Sequence, residues 1–168
     1  AVLSIARENP DVAATDVESV TVETYPAAAR LENRRPENSL QAKFSLPFAV
    51  ATTMVNGHTG KDAFTDEAIT EPVLALADRV SVTVGEDIAE RVPESRGARV
   101  RIEFSDGTET TETVRAARGG EHEPFDRTEL EAKFGRLVAP ELGDERAAEL
   151  WEAATGPAAP RVLSTLAR

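Results

Sequence analysis

Apolar positions along the chain switch between a period of two and helical spacing, which predicts a mixture of strands and helices. Val20, Val22 and Thr24 alternate with Thr21 and Glu23, predicting a strand over about Val17 to Tyr25 that Tyr25-Pro26 ends. Val80 to Val84 alternates as a second strand. Val100, Ile102 and Phe104 against Arg99, Arg101 and Glu103 mark a third, with one face buried and one wet. Asp106-Gly107 predicts a type I′ hairpin turn, and Thr108 to Arg115 the returning strand.

The most apolar stretch runs from Ser39, expected as its cap, to Asn56-Gly57. Leu40, Phe44, Pro47, Phe48, Ala51, Met54 and Val55 share one helical face. The other side carries Ala42, Leu46, Ala49, Val50 and Thr53, so the expectation is a helix covered on both sides. Leu46, Ala49 and Val50 are then candidates for an exposed patch in the isolated chain. Pro47 should kink this helix unless the regular part begins only there.

Other helices are expected at the start (Ala1 to Glu8, closed by Asn9-Pro10), around Asp62 to Ala68, and from Pro72 to Arg79 with Val73, Leu74 and Ala77 inward. Ala27 to Asn38 and Ala116 to Pro124 read as loops. Asp126 with Glu129 forms a capping box, Phe125 with Leu130 a hydrophobic staple, and Leu130, Phe134, Leu137 and Val138 a stripe expected to be buried. Asp144 to Thr155 buries Ala147, Leu150, Trp151 and Ala154 in a last long helix, stopped by Gly156-Pro157, and Pro160 to Arg168 adds one short turn. The fold class expected is α+β, an antiparallel sheet of about four strands packed by helices.

Charge narrows the partners. Thirty acidic residues face 19 basic ones for a net charge of -11, and lysine occurs only at Lys43, Lys61 and Lys133. An acidic, lysine-poor surface suits a salty cytoplasm, and arginine in place of lysine through codon usage in a GC-rich genome is the alternative reading. Either reading argues against nucleic acid, since no basic stripe could neutralise phosphates. No apolar run approaches the roughly 18 residues that a membrane helix needs, and the start shows no secretory signal, so a cytoplasmic protein without membrane contact is expected.

Candidate chemistry is sparse. Without cysteine there is no thiol nucleophile or thiolate metal site, and His58 and His122 stand too far apart in sequence for a zinc proposal. Gly57-His58-Thr59-Gly60-Lys61-Asp62 lacks the spacing and the Ser or Thr of a phosphate loop, and reads as a helix C-cap and a turn. The Gly119 to Glu123 loop with His122 reads as solvated. Arg30, Arg34 and Arg35, with Lys43 beyond them, make the one local positive cluster. Guanidinium groups bind carboxylates bidentately, so these four are candidate substrate-binding residues for a polycarboxylate, against a solvated or subunit-facing patch.

The segment Ser39-Leu40-Gln41-Ala42-Lys43-Phe44-Ser45-Leu46-Pro47-Phe48-Ala49-Val50-Ala51, ending at Asn56-Gly57, resembles the central helix of the MmgE/PrpD C-terminal domain. Phe64-Thr65-Asp66-Glu67, Val80-Ser81-Val82, Asp106-Gly107-Thr108 and Leu130-Glu131-Ala132-Lys133-Phe134 follow in the family's order. Members include 2-methylcitrate dehydratase, cis-aconitate decarboxylase and iminodisuccinate epimerase. The resemblance implies a C-terminal lid domain over residues 1–156, with a short extension over 157–168.

It also implies a lyase or epimerase that removes a proton alpha to a carboxylate of a di- or tricarboxylate, without a cofactor, in a homodimer. The family's catalytic Lys and His lie in a K-x-Y-P-x-C-x-x-x-H-like stretch of a helical N-terminal domain. That stretch is absent here, where Glu23 and Thr24 precede the single Tyr-Pro. The implied partner is therefore a missing N-terminal domain, with the chain beginning just downstream of the catalytic residues and inactive alone. A stand-alone module binding an acidic metabolite, or an inactive dimerisation scaffold, are the alternatives.

Overall fold

A computed structural model describes residues 1–9 and 13–156. Pro10 and the turn expected from Pro160 lie outside the described residues. The chain divides into two compact units, one ending at Ala117 and one beginning at Arg118.

The first unit is built on the strand β1 (Val17–Thr24). Val17, Val20, Val22 and Thr24 are buried, and the odd spacing between Val17 and Val20 is absorbed by a register shift after Val17. β1 pairs in parallel with β2 (Val80–Val84) and antiparallel with β3 (Ala98–Phe104), which pairs antiparallel with β4 (Glu109–Val114). The order is β2-β1-β3-β4. The α+β class and the four strands stand as expected, with one parallel pair in a mostly antiparallel sheet. Val80, Val20 and Ile102 lie level across three strands and are fully buried. The opposite face stays wet, carrying Glu23 ion-paired with Arg99 and Arg101 with Glu109.

The β3–β4 connection is a three-residue loop rather than a type I′ turn. Gly107 N–H donates to the Phe104 carbonyl at 2.9 Å and Phe104 N–H to the Thr108 carbonyl at 2.9 Å. Among the described residues only glycines have positive φ, and Gly107 stands at 84°. Asp106 therefore keeps negative φ, and a type I turn followed by a left-handed glycine closes the hairpin.

Helices cover the buried face. α1 (Val2–Glu8) contributes Ile5, and α2 (Pro26–Ala29) starts on a proline where a loop was expected. The long apolar helix is broken in two, α3 (Ser39–Lys43) and α4 (Leu46–Asn56). Asn38, not Ser39, caps α3 by accepting from Gln41 N–H at 3.0 Å. Ser45 caps α4 by accepting from Phe48 N–H at 2.9 Å. Pro47 sits in the first turn of α4, where its missing N–H costs nothing, so there is no kink. Gly57, at φ 72°, ends the helix through its N–H to the Thr53 carbonyl.

The break redistributes the apolar faces. Phe48, Ala51 and Thr52 are fully buried, and Val50 is 5% exposed. Val50 is thus core and not surface, which removes it from the expected patch, while Leu46 and Ala49 are half-buried. Leu40 on α3 and Phe44 just past its end, expected to pack inward, are 65% and 60% exposed. Residues 61–68 form two 3₁₀ turns, Lys61–Phe64 and Asp66–Ala68, rather than one helix. α5 (Glu71–Ala77) buries Val73, Leu76 and Ala77, with Leu74 only partly covered. A short α6 (Glu86–Ala89) interrupts the connection to β3.

In the second unit, α7 (Arg127–Leu142) and α8 (Asp144–Thr155) pair. The capping box forms, with Asp126 accepting from Glu129 N–H at 2.8 Å and Glu129 accepting from Asp126 N–H at 2.9 Å. The expected buried stripe on α7 does not: Leu130 and Leu137 are 44% and 46% exposed, and Phe134 and Val138 are half-buried. A two-helix unit has too little opposing surface to close over it. α8 supplies the buried residues, Ala147 and Trp151, while Leu150 is half-buried and Ala154 exposed. Phe134 stacks on Trp151 with ring centroids 5.5 Å apart. The Phe125 ring has Lys133 Nζ 5.1 Å from its centroid and Arg118 at 5.8 Å.

Candidate carboxylate-binding cavity

The loop after α2 is pinned to the α3–α4 junction. Leu46 N–H donates to the Leu31 carbonyl at 2.8 Å, and the Ser45 hydroxyl donates to the Asn33 carbonyl. Gln41 Oε1 accepts from Asn33 Nδ2 at 3.2 Å and from Glu37 N–H at 3.1 Å. These bonds tie this loop to α3 and to the start of α4. It leaves a cavity of about 660 Å³ lined by Glu32, Asn33, Arg34, Arg35, Pro47 and Asp78 together with Val80, Ser81 and Val82 at the start of β2.

Two of the four sequence candidates meet there. Arg35 is engaged within the protein, its Nη2 lying 2.6 Å from Asp78 Oδ2 and 3.3 Å from Glu71 Oε1. The Asp78 hydrogen bond, and after it the Glu71 one, hold the Arg35 guanidinium above its ordinary pKa. Arg34 has no ion-pair partner among the described residues, and is the open cation of the lining. Arg30 and Lys43 are exposed and are not part of the lining.

Asp78 and Glu71 escaped the reading of the positive cluster because they lie far along the chain, at α5. Their seven-residue spacing puts both on one helical face, the only sequence sign that they could share a cation. Pairing two carboxylates with Arg35 leaves Arg34, beside Glu32, as the lining guanidinium without an ion-pair partner among the described residues.

The remaining histidine segments are local structure. His58 Nδ1 accepts from Gly60 N–H at 3.2 Å, and its Nε2 is 3.7 Å from Asp62 Oδ2, within the turn that follows the α4 C-cap. Gly119 N–H donates to the Glu123 carbonyl at 2.6 Å, closing the loop that holds His122. Among the described residues no three His, Asp or Glu side chains gather as a metal site, and no helix is long and apolar enough to cross a membrane.

A four-stranded mixed sheet with one helical layer, and a cavity at its edge strand lined by Arg34 and Arg35 together with Glu32 and Asp78, define an α+β domain. The family model described as the MmgE/PrpD C-terminal domain matches residues 1–155, and the chain belongs to that family. No curated protein matches it.

Proposed function

We propose that this chain is the C-terminal domain of a lyase or epimerase that removes a proton alpha to a carboxylate of a di- or tricarboxylate, as a 2-methylcitrate dehydratase-like enzyme does. The observation that carries this reading is Arg34, the cation at the cavity without an ion-pair partner among the described residues, in a chain that matches the family over residues 1–155. Proton loss beside a carboxylate builds negative charge on that carboxylate, and a positioned guanidinium stabilises it. Arg34 takes this role, Arg35 shapes the cavity through Asp78, and Arg30 and Lys43 add positive charge around the loop. An arginine stays protonated at neutral pH and is no base, so the base comes from a helical N-terminal domain of the same cytoplasmic enzyme, which works as a homodimer without a redox cofactor.

The test follows NMR shifts of the chain on titration with citrate, with acetate as control, in native and Arg34→Ala protein. Citrate is expected to perturb the loop at 32–35 and the start of β2, and Arg34→Ala to weaken binding about tenfold or more, the loss of one charge-assisted hydrogen bond. Perturbation elsewhere, or indifference to Arg34→Ala, would overturn the site. Deuterium exchange into citrate by the 168-residue chain alone, abolished by a mutation within it, would overturn the assignment of the base to another domain.

A further inference from the structure

In the second unit, α7 and α8 leave a groove between them. It is a cavity of about 650 Å³ lined by Glu131, Phe134 and Gly135 from α7 and by Asp144, Ala148 and Trp151 from α8. A Cβ at Gly135 would meet nothing within 4 Å, so the groove is open there. Trp151 is 8% exposed, and its indole Nε1 is buried without a hydrogen-bond partner among the described residues. A buried N–H without an acceptor costs free energy, and burial keeps bulk water from serving it. A small turn of the ring toward the cavity presents that N–H to whatever lies there. The groove therefore suits an apolar occupant that brings an acceptor to the level of Trp151.

We propose that the occupant is the chain's own segment 157–168, folded back antiparallel to α8. These residues lie outside the described part and beyond the family match, which ends at residue 155. Their charge fits. Over 118–156 ten acidic residues face five basic ones, whereas 157–168 carries Arg161 and Arg168 and no acid. Neither Glu131 nor Asp144 has an ion-pair partner among the described residues. Glu131 is one turn from Phe134, which stacks on Trp151, so it marks the Trp151 end of the groove, and Asp144 opens α8 at the other end. Arg136, the one cation of the lining, lies between those ends, and 162–167 carries no charge.

Reach fits as well. Trp151 stands about 7 Å along α8 from Gly156. Residues 157–160, extended at roughly 3.3 Å each, are long enough to return to it. As one helix, Arg161 and Arg168 stand about 10 Å apart, the same rise that separates Trp151 from Asp144 on α8. Val162, Leu163 and Leu166 then share one face toward Ala148 and Gly135. Pro160 suits a first helical position, which leaves the Pro157 and Ala158 carbonyls without a helical N–H and free to accept from Trp151 Nε1. No residue of the Arg34 cavity takes part, so the functional reading above stands whatever the outcome here.

The test is NMR on the whole chain, in which the single tryptophan gives one indole N–H signal. Nuclear Overhauser contacts are expected from that N–H to residues 157–160, and from the Trp151 ring to the Leu163 methyls. The double variant Leu163→Glu with Leu166→Glu is expected to keep its circular dichroism and to exchange the indole N–H about tenfold faster. Arg161→Glu with Arg168→Glu is expected to act in the same direction, and adding Glu131→Arg with Asp144→Arg to restore the protection. The contacts in the unmodified chain decide the matter if a variant misfolds. Their absence, or indole exchange indifferent to both double variants, would overturn the proposal. So would protection that grows with protein concentration, which would place the segment of a second copy in the groove.

Discussion

The Thr24 hydroxyl donates a buried hydrogen bond of 3.0 Å to the carbonyl of Gly97, tying the last residue of β1 to the residue that opens into β3. Gly97 is itself confined, since a Cβ there would stand 2.7 Å from the Val114 carbonyl oxygen and 3.1 Å from that of Arg115. Thr24→Val keeps the shape and strands the Gly97 carbonyl, with an expected loss of about 1–3 kcal/mol in urea unfolding. Gly97→Ala pushes backbone against backbone and is expected to cost a similar amount, about 1–3 kcal/mol. Unfolding midpoints equal to that of the unmodified chain would show that this corner yields.

Leu40 on α3 and Phe44 just past its end are exposed, whereas Val50 is core. Glutamate at position 40 or 44 is expected to leave the fold intact and to reduce binding of a hydrophobic dye. Val50→Glu is expected to unfold the first unit, because it buries a carboxylate without a partner. Thermal melts with dye fluorescence separate the two, and a folded Val50→Glu protein would contradict the packing of α4.

Much of this was readable from the sequence, and the misses have a common origin. β1, β3 and the capping box rest on local chemistry, and local chemistry is what side-chain order records. The break at Phe44-Ser45 was not readable as such, because two short helices and one long one can share the same apolar spacing. What decides it is that the Ser45 hydroxyl donates to the distant Asn33 carbonyl and accepts from Phe48 N–H. The direction of β2 was equally hidden, since alternation is the same whether the neighbour runs parallel or antiparallel. Arg34 and Arg35 look alike in the sequence, and only α5, bringing Asp78 and Glu71, makes them different.

The Glu129 carboxyl is held below its ordinary value of 4.5, first by the Arg118 guanidinium and then by the backbone N–H of Asp126. Its folded pKa is depressed, so the stability it contributes is present above pH 4.5 and is lost as pH falls through the folded value. Arg118→Ala is expected to raise the Glu129 pKa toward 4.5, read by NMR titration. Asp126→Ala removes the N-cap and is expected to destabilise α7 by about 1 kcal/mol. An unmoved Glu129 titration would mean the pair is not formed in solution.

Trp151 is the single tryptophan, so its fluorescence reports the second unit alone. That unit buries only Ala147 and Trp151 among its described residues, against the large cluster beneath the sheet. Its fluorescence change in urea is expected at a lower midpoint than the loss of Phe48 methyl-neighbour signals in the first unit. Coincident midpoints would show the two units unfolding as one.

The parallel pairing of β1 with β2 also sets a schedule for the chain as it leaves the ribosome. β1 lies in the middle of the sheet, yet both strands that flank it are made later, after α2 to α5. At roughly 5–20 residues per second, the stretch from Thr24 to Val80 takes several seconds to synthesise. For that interval Val20 and Val22 sit on a strand with no neighbour on either side, in a segment prone to wrong partners. The nascent chain at that stage is a natural client for a chaperone that holds extended apolar segments, and slower translation between β1 and β2 prolongs its exposure.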